Sequence, residues 1–387
     1  MSREFLMPER IEAGENAAKT AMPHIAALGR HALIVTGKIV VTLDAFSEFT
    51  EELKKHGVAY DIFSGITGEP DDLMIKAGLD AYCEKGCDFM IGFGGGSPID
   101  AMKAIAVLAV CGGTLRDYMG KEICGKLPPM VAVPTTAGTG SEATKFTVIT
   151  DSETQVKMLL KGSSLIPTLA VVDPCYTMTS PKSITASTGL DALTHAIESY
   201  TSNKAQPLTD AVALSAVKRI FRYLPRAYEN GDDREARSEM SVAALEAGIA
   251  INNASVTLVH GMSRPIGALF HVPHGLSNAM LLVKCLSFAK DGAVDRFAEL
   301  GRAICAASEN DSDDVAADKF IDGLEKICAV CHVPTIEEYG IDREAFLAAV
   351  EKMSRDAVIS GSPANTRKPV TEQDVSALYF SLVNTSA

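Results

Sequence analysis

The sequence predicts an α/β N-terminal domain built on a parallel sheet, followed by an all-α C-terminal domain. Three observations carry that prediction. The chain has 387 residues, more than one hydrophobic core comfortably serves, so two domains are expected. Through the first half, short apolar runs alternate with helix-patterned segments, the pattern of strands covered by helices. Beyond Asp173-Pro174 the β-branched runs give way to apolar residues at three- and four-residue spacing. The boundary falls near Met178–Pro181, dividing the chain into residues 1–179 and 180–387.

Taken in order, the buried strands are His31–Thr36 (HALIVT), Val58–Phe63 (VAYDIF), Asp88–Phe93 (DFMIGF), Met130–Pro134 (MVAVP) and Ala170–Asp173 (AVVD). Helical patterns over Thr42–Lys55 and Asp71–Lys85 separate the first three. In the second half Asp191–Tyr200, Thr209–Ala227, Arg234–Ala250 and Asp291–Ala307 read as helices. A ligand site is expected in the cleft between two such domains.

Composition narrows the function classes. Hydrophobic residues make up 47% and charged residues 22% of the chain, ample for a packed core. A net charge of −13 argues against nucleic acid and anionic membrane surfaces, which demand clustered Lys and Arg. The opening segment has no apolar run of signal-peptide length. The longest apolar stretch, near Ala104–Cys111, is far short of the ~20 residues that span a bilayer. A cytoplasmic protein is expected. Nine cysteines, an odd number, suit reduced thiols better than a disulfide framework. Cys328-x-x-Cys331-His332 spells a haem-attachment pattern, but without an export signal it reads as two helix cysteines, one of them buried. The acidic run Glu309–Asp314 reads as a solvated loop.

The third strand runs into Gly94-Gly95-Gly96-Ser97-Pro98-Ile99-Asp100. Three glycines let the backbone turn tightly and approach a ligand. Ser97 is a suitable N-cap, Pro98 a first helical residue, and Asp100 completes a start resembling a capping box. The free N–H groups of that helix end suit a pyrophosphate, although the loop matches neither G-x-G-x-x-G nor a Walker loop. After the fourth strand, Pro134-Thr135-Thr136-Ala137-Gly138-Thr139-Gly140-Ser141-Glu142 offers hydroxyls and glycines that can cradle a phosphate or ribose. Two such loops at strand ends point to a nucleotide site, and so to a dinucleotide-binding first domain.

Asp191 and His195 lie one helical turn apart, close enough to chelate one ion. His260 and His274 follow fourteen residues apart, with Gly and Pro expected to break the helix between them. Four of the eight histidines fall within His195–His274, beside glycines that make little sense in helix interiors. Together Asp191, His195, His260 and His274 form an Asp/His₃ set suited to Fe(II), Zn(II), Mn(II) or Ni(II).

These motifs carry a family resemblance. From Phe5-x-x-Pro8-x-x-Ile11-x-x-Gly14, through GGGSPID and PTTAGTGSE, to ASTGLDALTHAIESY (Ala186–Tyr200) and VHGMSRPIGALFHVPHG (Val259–Gly275), the chain resembles the iron-containing (group III) alcohol dehydrogenases. The resemblance covers essentially the whole chain. It implies that Asp191, His195, His260 and His274 hold Fe(II), or alternatively Zn(II). It implies cofactor contacts at Gly94, Gly95, Gly96, Ser97 and Asp100, at Thr135, Thr136 and Ser141, and at Lys157 on the nicotinamide side. The expected reaction interconverts a small alcohol and its aldehyde or ketone by hydride transfer to or from NAD(P). A homodimer or larger homo-oligomer is expected. Polyol dehydrogenases and a related metal- and NAD-dependent cyclase are the alternatives within this fold.

Two departures stand out. Many relatives carry a proton-relay histidine four residues after the third ligand, where this chain has Arg264, which does not deprotonate; His271 is the nearest substitute. Relatives preferring NAD often carry Asp after the first strand, where this chain has Gly37-Lys38. NADP is therefore expected to be at least tolerated.

Overall fold

The computed structural model describes residues 2–154 and 156–383. They form two compact units that part between Ser180 and Pro181. The N-terminal residues through Phe5 belong to the second unit, where the Gln206 amide donates to the Glu4 carbonyl at 3.1 Å. Sequence reading placed them with the first domain; no apolar pattern marks where they pack.

The first unit is built on six parallel strands. In chain order these are β1 (Arg10–Ala13), β2 (His31–Val35), β3 (Ala59–Phe63), β4 (Phe89–Gly94), β5 (Met130–Pro134) and, after a separate hairpin, β8 (Leu169–Val172). The spatial order is β1-β8-β5-β4-β2-β3. Alternate strand residues face opposite cores. Leu33, Val35, Met90 and Ala132 pack with helices α3 (Asp72–Lys85) and α4 (Gly96–Cys111). Ala32, Ile34, Phe89, Ile91, Val131 and Val133 pack with α1 (Ala17–Ala26) and α2 (Asp44–Lys55). Burial on both faces is why the central strands read as continuous apolar runs.

Three strands went unread in the sequence. β1 is a four-residue edge strand whose R-I-E-A composition carries no apolar run. β6 (Phe146–Thr150) and β7 (Lys157–Lys161) pair antiparallel outside the main sheet. Their burial alternates, a period-two signal lost among the loops around it.

Topology then marks where a sheet of this kind would take a ligand. The chain passes from β2 outward to β3 and returns with β4 on the other side of β2. The switch point between β2 and β4 is where open α/β sheets bind ligands, at the carboxyl ends of the strands. Gly37-Lys38 and Gly94–Ser97 follow those two strands.

The second unit is helical. Its helices are α5 (Lys182–Thr201), α6 (Pro207–Glu229), α7 (Arg234–Asn253), α8 (Leu258–Phe270), α9 (His274–Lys290), α10 (Val294–Ala303), α11 (Asp313–Val330), α12 (Arg343–Ile359) and α13 (Glu372–Val383). From Gly189 to Thr201, α5 is buried on every face. Its small residues allow that: a Cβ on Gly189 would lie 2.5 Å from Leu224 Cδ1 on α6. Among the described residues, no single helix is long and apolar enough to cross a membrane.

Candidate metal centre and cofactor loops

Three helices each bring donors to one point. α5 presents Asp191 and His195, α8 carries His260 in its first turn, and His274 is the first residue of α9. The expected break between His260 and His274 is narrower than the sequence suggested. Gly261, Pro265 and Gly267 all lie inside α8, and the chain turns only at 271–273, where His271 adopts a left-handed φ of 54°. The helix glycines have a packing reason. A Cβ on Gly275 would lie 2.4 Å from the Ser187 carbonyl oxygen of α5, and one on Gly261 would lie 2.7 Å from Pro363 Cδ. Side chains there would push α9 off α5 and α8 off the 362–363 segment.

The donor atoms converge on a single oxygen. The Nε2 atoms of His195, His260 and His274 lie 3.8, 3.8 and 3.7 Å from Asp191 Oδ1. These separations are too long for hydrogen bonds. They suit ligands sharing one ion at about 2.0–2.2 Å each. The Asn278 amide nitrogen lies 2.7 Å from Asp191 Oδ1, 3.1 Å from His260 Nε2 and 3.2 Å from His274 Nε2. Two N–H groups cannot serve three acceptors well. Such a surplus of acceptors, nearly all buried, calls for a cation. One carboxylate with three imidazoles fits Fe(II) or Zn(II).

Behind the donors sits Glu198, fully buried. Its Oε2 accepts from His260 Nδ1 at 2.6 Å, and its Oε1 accepts from Thr257 Oγ1 and the Val259 N–H, each at 2.7 Å. A proton held on Nδ1 leaves the Nε2 lone pair facing the other donors. Burial, aided by the neighbouring imidazoles, pushes His260 well below its ordinary pKa, keeping it in the neutral form that binds metal. For Asp191, burial favours the neutral acid, but the imidazoles and the Asn278 amide outweigh it and hold the pKa below the usual value.

The remaining site residues fall in three places. His271 is exposed and stands outside the four-donor group. Arg264, one turn beyond His260 on α8, donates to Ser362 Oγ at 2.9 Å. Gly94 to Asp100 and Thr135 to Ser141 line the first unit's two loops, which touch, whereas Gly37 and Lys38 follow β2 and Lys157 begins β7. The Thr135 N–H donates to the Gly94 carbonyl at 2.9 Å, and a Cβ on Gly96 would lie 2.9 Å from Thr139 Cγ2.

The helix start differs from the expected one. Gly95, not Ser97, is the N-cap, with no side-chain cap, and Ser97 lies inside α4. Asp100 forms no capping box. It accepts instead from Ser141 Oγ at 2.5 Å and from the Val148 N–H at 2.9 Å. Lys103, unnoticed in the sequence, is buried and donates to Ser141 Oγ, Thr144 Oγ1 and the carbonyls of Thr144 and Phe146 at 2.9–3.1 Å. Burial pushes its pKa down to about 8. Asp100, Ser141 and Lys103 thus fix the shape of both loops. Lys157 pairs with Glu69 at 2.9 Å, and Lys38 is exposed. Gly37 bridges to Gly65, and a Cβ on Gly37 would lie 3.0 Å from the Ile66 carbonyl oxygen.

Glu198 and Asn278 were missed as well. Each sits within a turn of a metal-site histidine, three residues after His195 and four after His274, and that spacing was the available signal.

Comparison with known proteins identifies the family of the chain. Residues 8–174 match the family model described as iron-containing alcohol dehydrogenase, and 185–383 match the C-terminal domain of the Fe-containing alcohol dehydrogenase family. The chain is 34% identical over 377 residues to the NAD-dependent methanol dehydrogenase of Bacillus methanolicus, covering 97% of this chain and 98% of that protein. It is also 34% identical over 385 residues to the 1,3-propanediol dehydrogenase of Klebsiella pneumoniae, covering 97% of each. Among solved structures, a 1,3-propanediol oxidoreductase superposes with a TM-score of 0.95 at 32% identity, covering 99% of this chain and all of the other.

Proposed function

The chain belongs to the iron-containing alcohol dehydrogenase family, and from that premise we propose that Asp191, His195, His260 and His274 are the metal ligands of its active site. The protein is a nicotinamide-linked oxidoreductase that interconverts an alcohol with its aldehyde or ketone. The reported relatives are dehydrogenases, which leaves the cyclase reading without support. The observation carrying the ligand assignment is the convergence of three imidazole nitrogens on Asp191 Oδ1.

Bound there, Fe(II), or Zn(II) in its place, supplies Lewis acidity for the substrate oxygen. The chain's own residues do the rest. Glu198 keeps the His260 proton on Nδ1, and Asn278 holds Asp191 Oδ1. In the first unit, the bare backbone of Gly94–Gly96 and the start of α4 receive the cofactor pyrophosphate, with Thr135 and Thr136 beside them. Gly37 leaves the adenosine ribose without a carboxylate, and Lys38 brings a positive charge, so NADP(H) is accepted alongside NAD(H). His271 is the side chain assigned to carry protons between substrate and solvent. The enzyme works in the cytoplasm as a homodimer or larger homo-oligomer, which sedimentation of the purified protein would test.

Replacing His260 or His274 with Ala tests the ligand assignment. Metal content and activity are expected to fall together while the helical circular dichroism is kept. Undiminished metal occupancy in both variants would refute it.

A further inference from the structure

Among the described residues, a second group of metal-ligating side chains lies apart from the four donors on α5, α8 and α9. It consists of His31, Asp61 and Cys87, whose donor atoms all fall within 4.8 Å of one another. They come from three separate places in the first unit: the first residue of β2, the middle of β3, and the connection between α3 and β4. The sheet register brings them together. Leu33 pairs with Asp61 and His31 with Ala59, which puts His31 and Asp61 on one face of the sheet, two residues out of step. Leu33 and Met90 on that face belong to the same core as Cys87. A two-way lock then fixes Cys87 beside the start of β2. Its neighbour Asp88 accepts from the Arg30 N–H at 2.9 Å and the His31 N–H at 3.0 Å, and the Asp88 N–H donates to the His31 carbonyl at 2.9 Å.

His31 Nε2 lies 2.9 Å from Asp61 Oδ2, and Lys85 Nζ lies 3.4 Å from the other oxygen, Oδ1. The lysine balances one carboxylate oxygen and leaves Oδ2 to the group. An imidazole and a carboxylate alone make a hydrogen-bonded pair; the thiol beside them completes the three-ligand set of an open tetrahedral site. Cys87 is buried, whereas the side chains of His31 and Asp61 are 30% and 33% exposed, so an ion can enter from their side. The donor types choose the metal. One sulfur, one imidazole nitrogen and one carboxylate oxygen suit Zn(II); the sulfur disfavours Mg(II) and Ca(II), and Fe(II) stands below Co(II) and Zn(II) in affinity. We infer that His31, Asp61 and Cys87 form a second metal site, selective for Zn(II), that ties β2, β3 and the start of β4 together at the amino ends of the strands. On binding, the Cys87 thiol releases its proton to solvent and a Zn–S bond replaces the S–H bond. The imidazole stays neutral, with its proton on the nitrogen turned away from the ion. Thiolate and carboxylate together match the charge of the ion. No donor is shared with Asp191, His195, His260 and His274, so the inference does not depend on that centre.

Co(II) tells the two sites apart, because the Asp/His₃ set contains no sulfur and only the second set can give thiolate-to-cobalt charge transfer in the near ultraviolet. The full-length protein, with its thiols kept reduced, is titrated with Co(II) and then with Zn(II). The parent is expected to develop a charge-transfer band that saturates at one thiolate-bound Co(II) per chain and is abolished by Zn(II). In Cys87→Ser the band is lost and bound metal falls by one equivalent per chain. Asp61→Asn weakens Co(II) binding at this site by at least the roughly 10- to 100-fold that loss of a supporting partner costs. Cys83→Ser keeps the band, which excludes the exposed neighbouring thiol as its source, and His274→Ala keeps it as well, which separates this site from the Asp/His₃ centre. Circular dichroism of each metal-free variant checks the fold. A parent without a thiolate band at saturating Co(II) overturns the inference, and so does an undiminished band in Cys87→Ser. Should Cys87→Ser fail to fold, Asp61→Asn decides: an unchanged Co(II) affinity there overturns the inference.

Discussion

Substituting Glu198 by Gln changes one atom and no volume, yet it is expected to reach the metal through the His260 proton. In the parent, all three groups facing the carboxylate are donors: Thr257 Oγ1–H and the Val259 N–H at Oε1, and His260 Nδ1–H at Oε2. An amide has one accepting end. Keeping its oxygen toward Thr257 and Val259 preserves two bonds and turns the NH₂ group toward Nδ1. His260 can meet that donor only by moving its proton to Nε2, the nitrogen aimed at Asp191, and so losing the ligand lone pair. Loss of such a supporting partner costs about 10- to 100-fold in metal affinity, or about 1.4–2.7 kcal/mol. Ala is the wrong probe, because it leaves three buried donors unpaired at about 1–3 kcal/mol each and confounds folding with binding. The assay is chelator-competition titration of Fe(II) or Zn(II) into the apo protein. Thr257→Val serves as control, since it removes one bond to Glu198 and leaves the His260 tautomer alone. An affinity for Glu198→Gln within twofold of the parent would refute the tautomer reasoning.

Three further outcomes follow from the structure. Arg116, with the backbone N–H groups of Glu153 and Thr154, holds Asp151 below the ordinary carboxylate pKa. A depressed folded-state pKa gives stability that is present above about pH 4 and lost as pH falls through and below that value. Asp151→Asn should therefore lower Tm at neutral pH and flatten its decline in acid; parallel Tm–pH curves would contradict this. Replacing His271 by Asn, a residue that tolerates its left-handed φ of 54°, should depress kcat and shift the pH–rate profile if His271 carries protons, whereas an unchanged profile points to direct exchange with solvent. Lys38→Ala should reduce kcat/KM for NADPH by about tenfold and leave NADH nearly unaffected. An equal effect on both cofactors would mean the ribose is read elsewhere. Gly37→Asp is the less direct probe, because its Cβ would press on the Ile66 carbonyl at 3.0 Å.

The legible parts of the fold were those whose burial leaves a one-dimensional trace. β2, β4 and β5 are buried on nearly every residue, and α2 and α6 are amphipathic, so their patterns stand out in sequence. β1 gains its place only by lying against β8, and a four-residue edge strand leaves no trace of that. Ser97 looked like a cap because local propensity favours it, but the helix is capped two residues earlier, at Gly95. There, Gly95 and Gly96 let the first turn approach Thr136 and Thr139, and tertiary contact overrides the local rule. At the metal centre, residue type and the four-residue spacing of Asp191 and His195 were readable. The meeting of α5, α8 and α9 was not, because it depends on contacts between helices distant in sequence, such as the missing side chain at Gly275 that lets α9 close on α5. Glu198 and Lys103 were invisible for a related reason: a charged residue in sequence reads as surface until its partners are known.

The central claim is that one ion is held by Asp191 and three imidazoles. Anomalous diffraction at the iron edge, from crystals of the Fe(II)-reconstituted enzyme, tests it most directly. The account predicts a single strong peak about 2.0–2.2 Å from a carboxylate oxygen of Asp191 and the Nε2 atoms of His195, His260 and His274. A peak elsewhere, or one from which any of these side chains turns away, would contradict it.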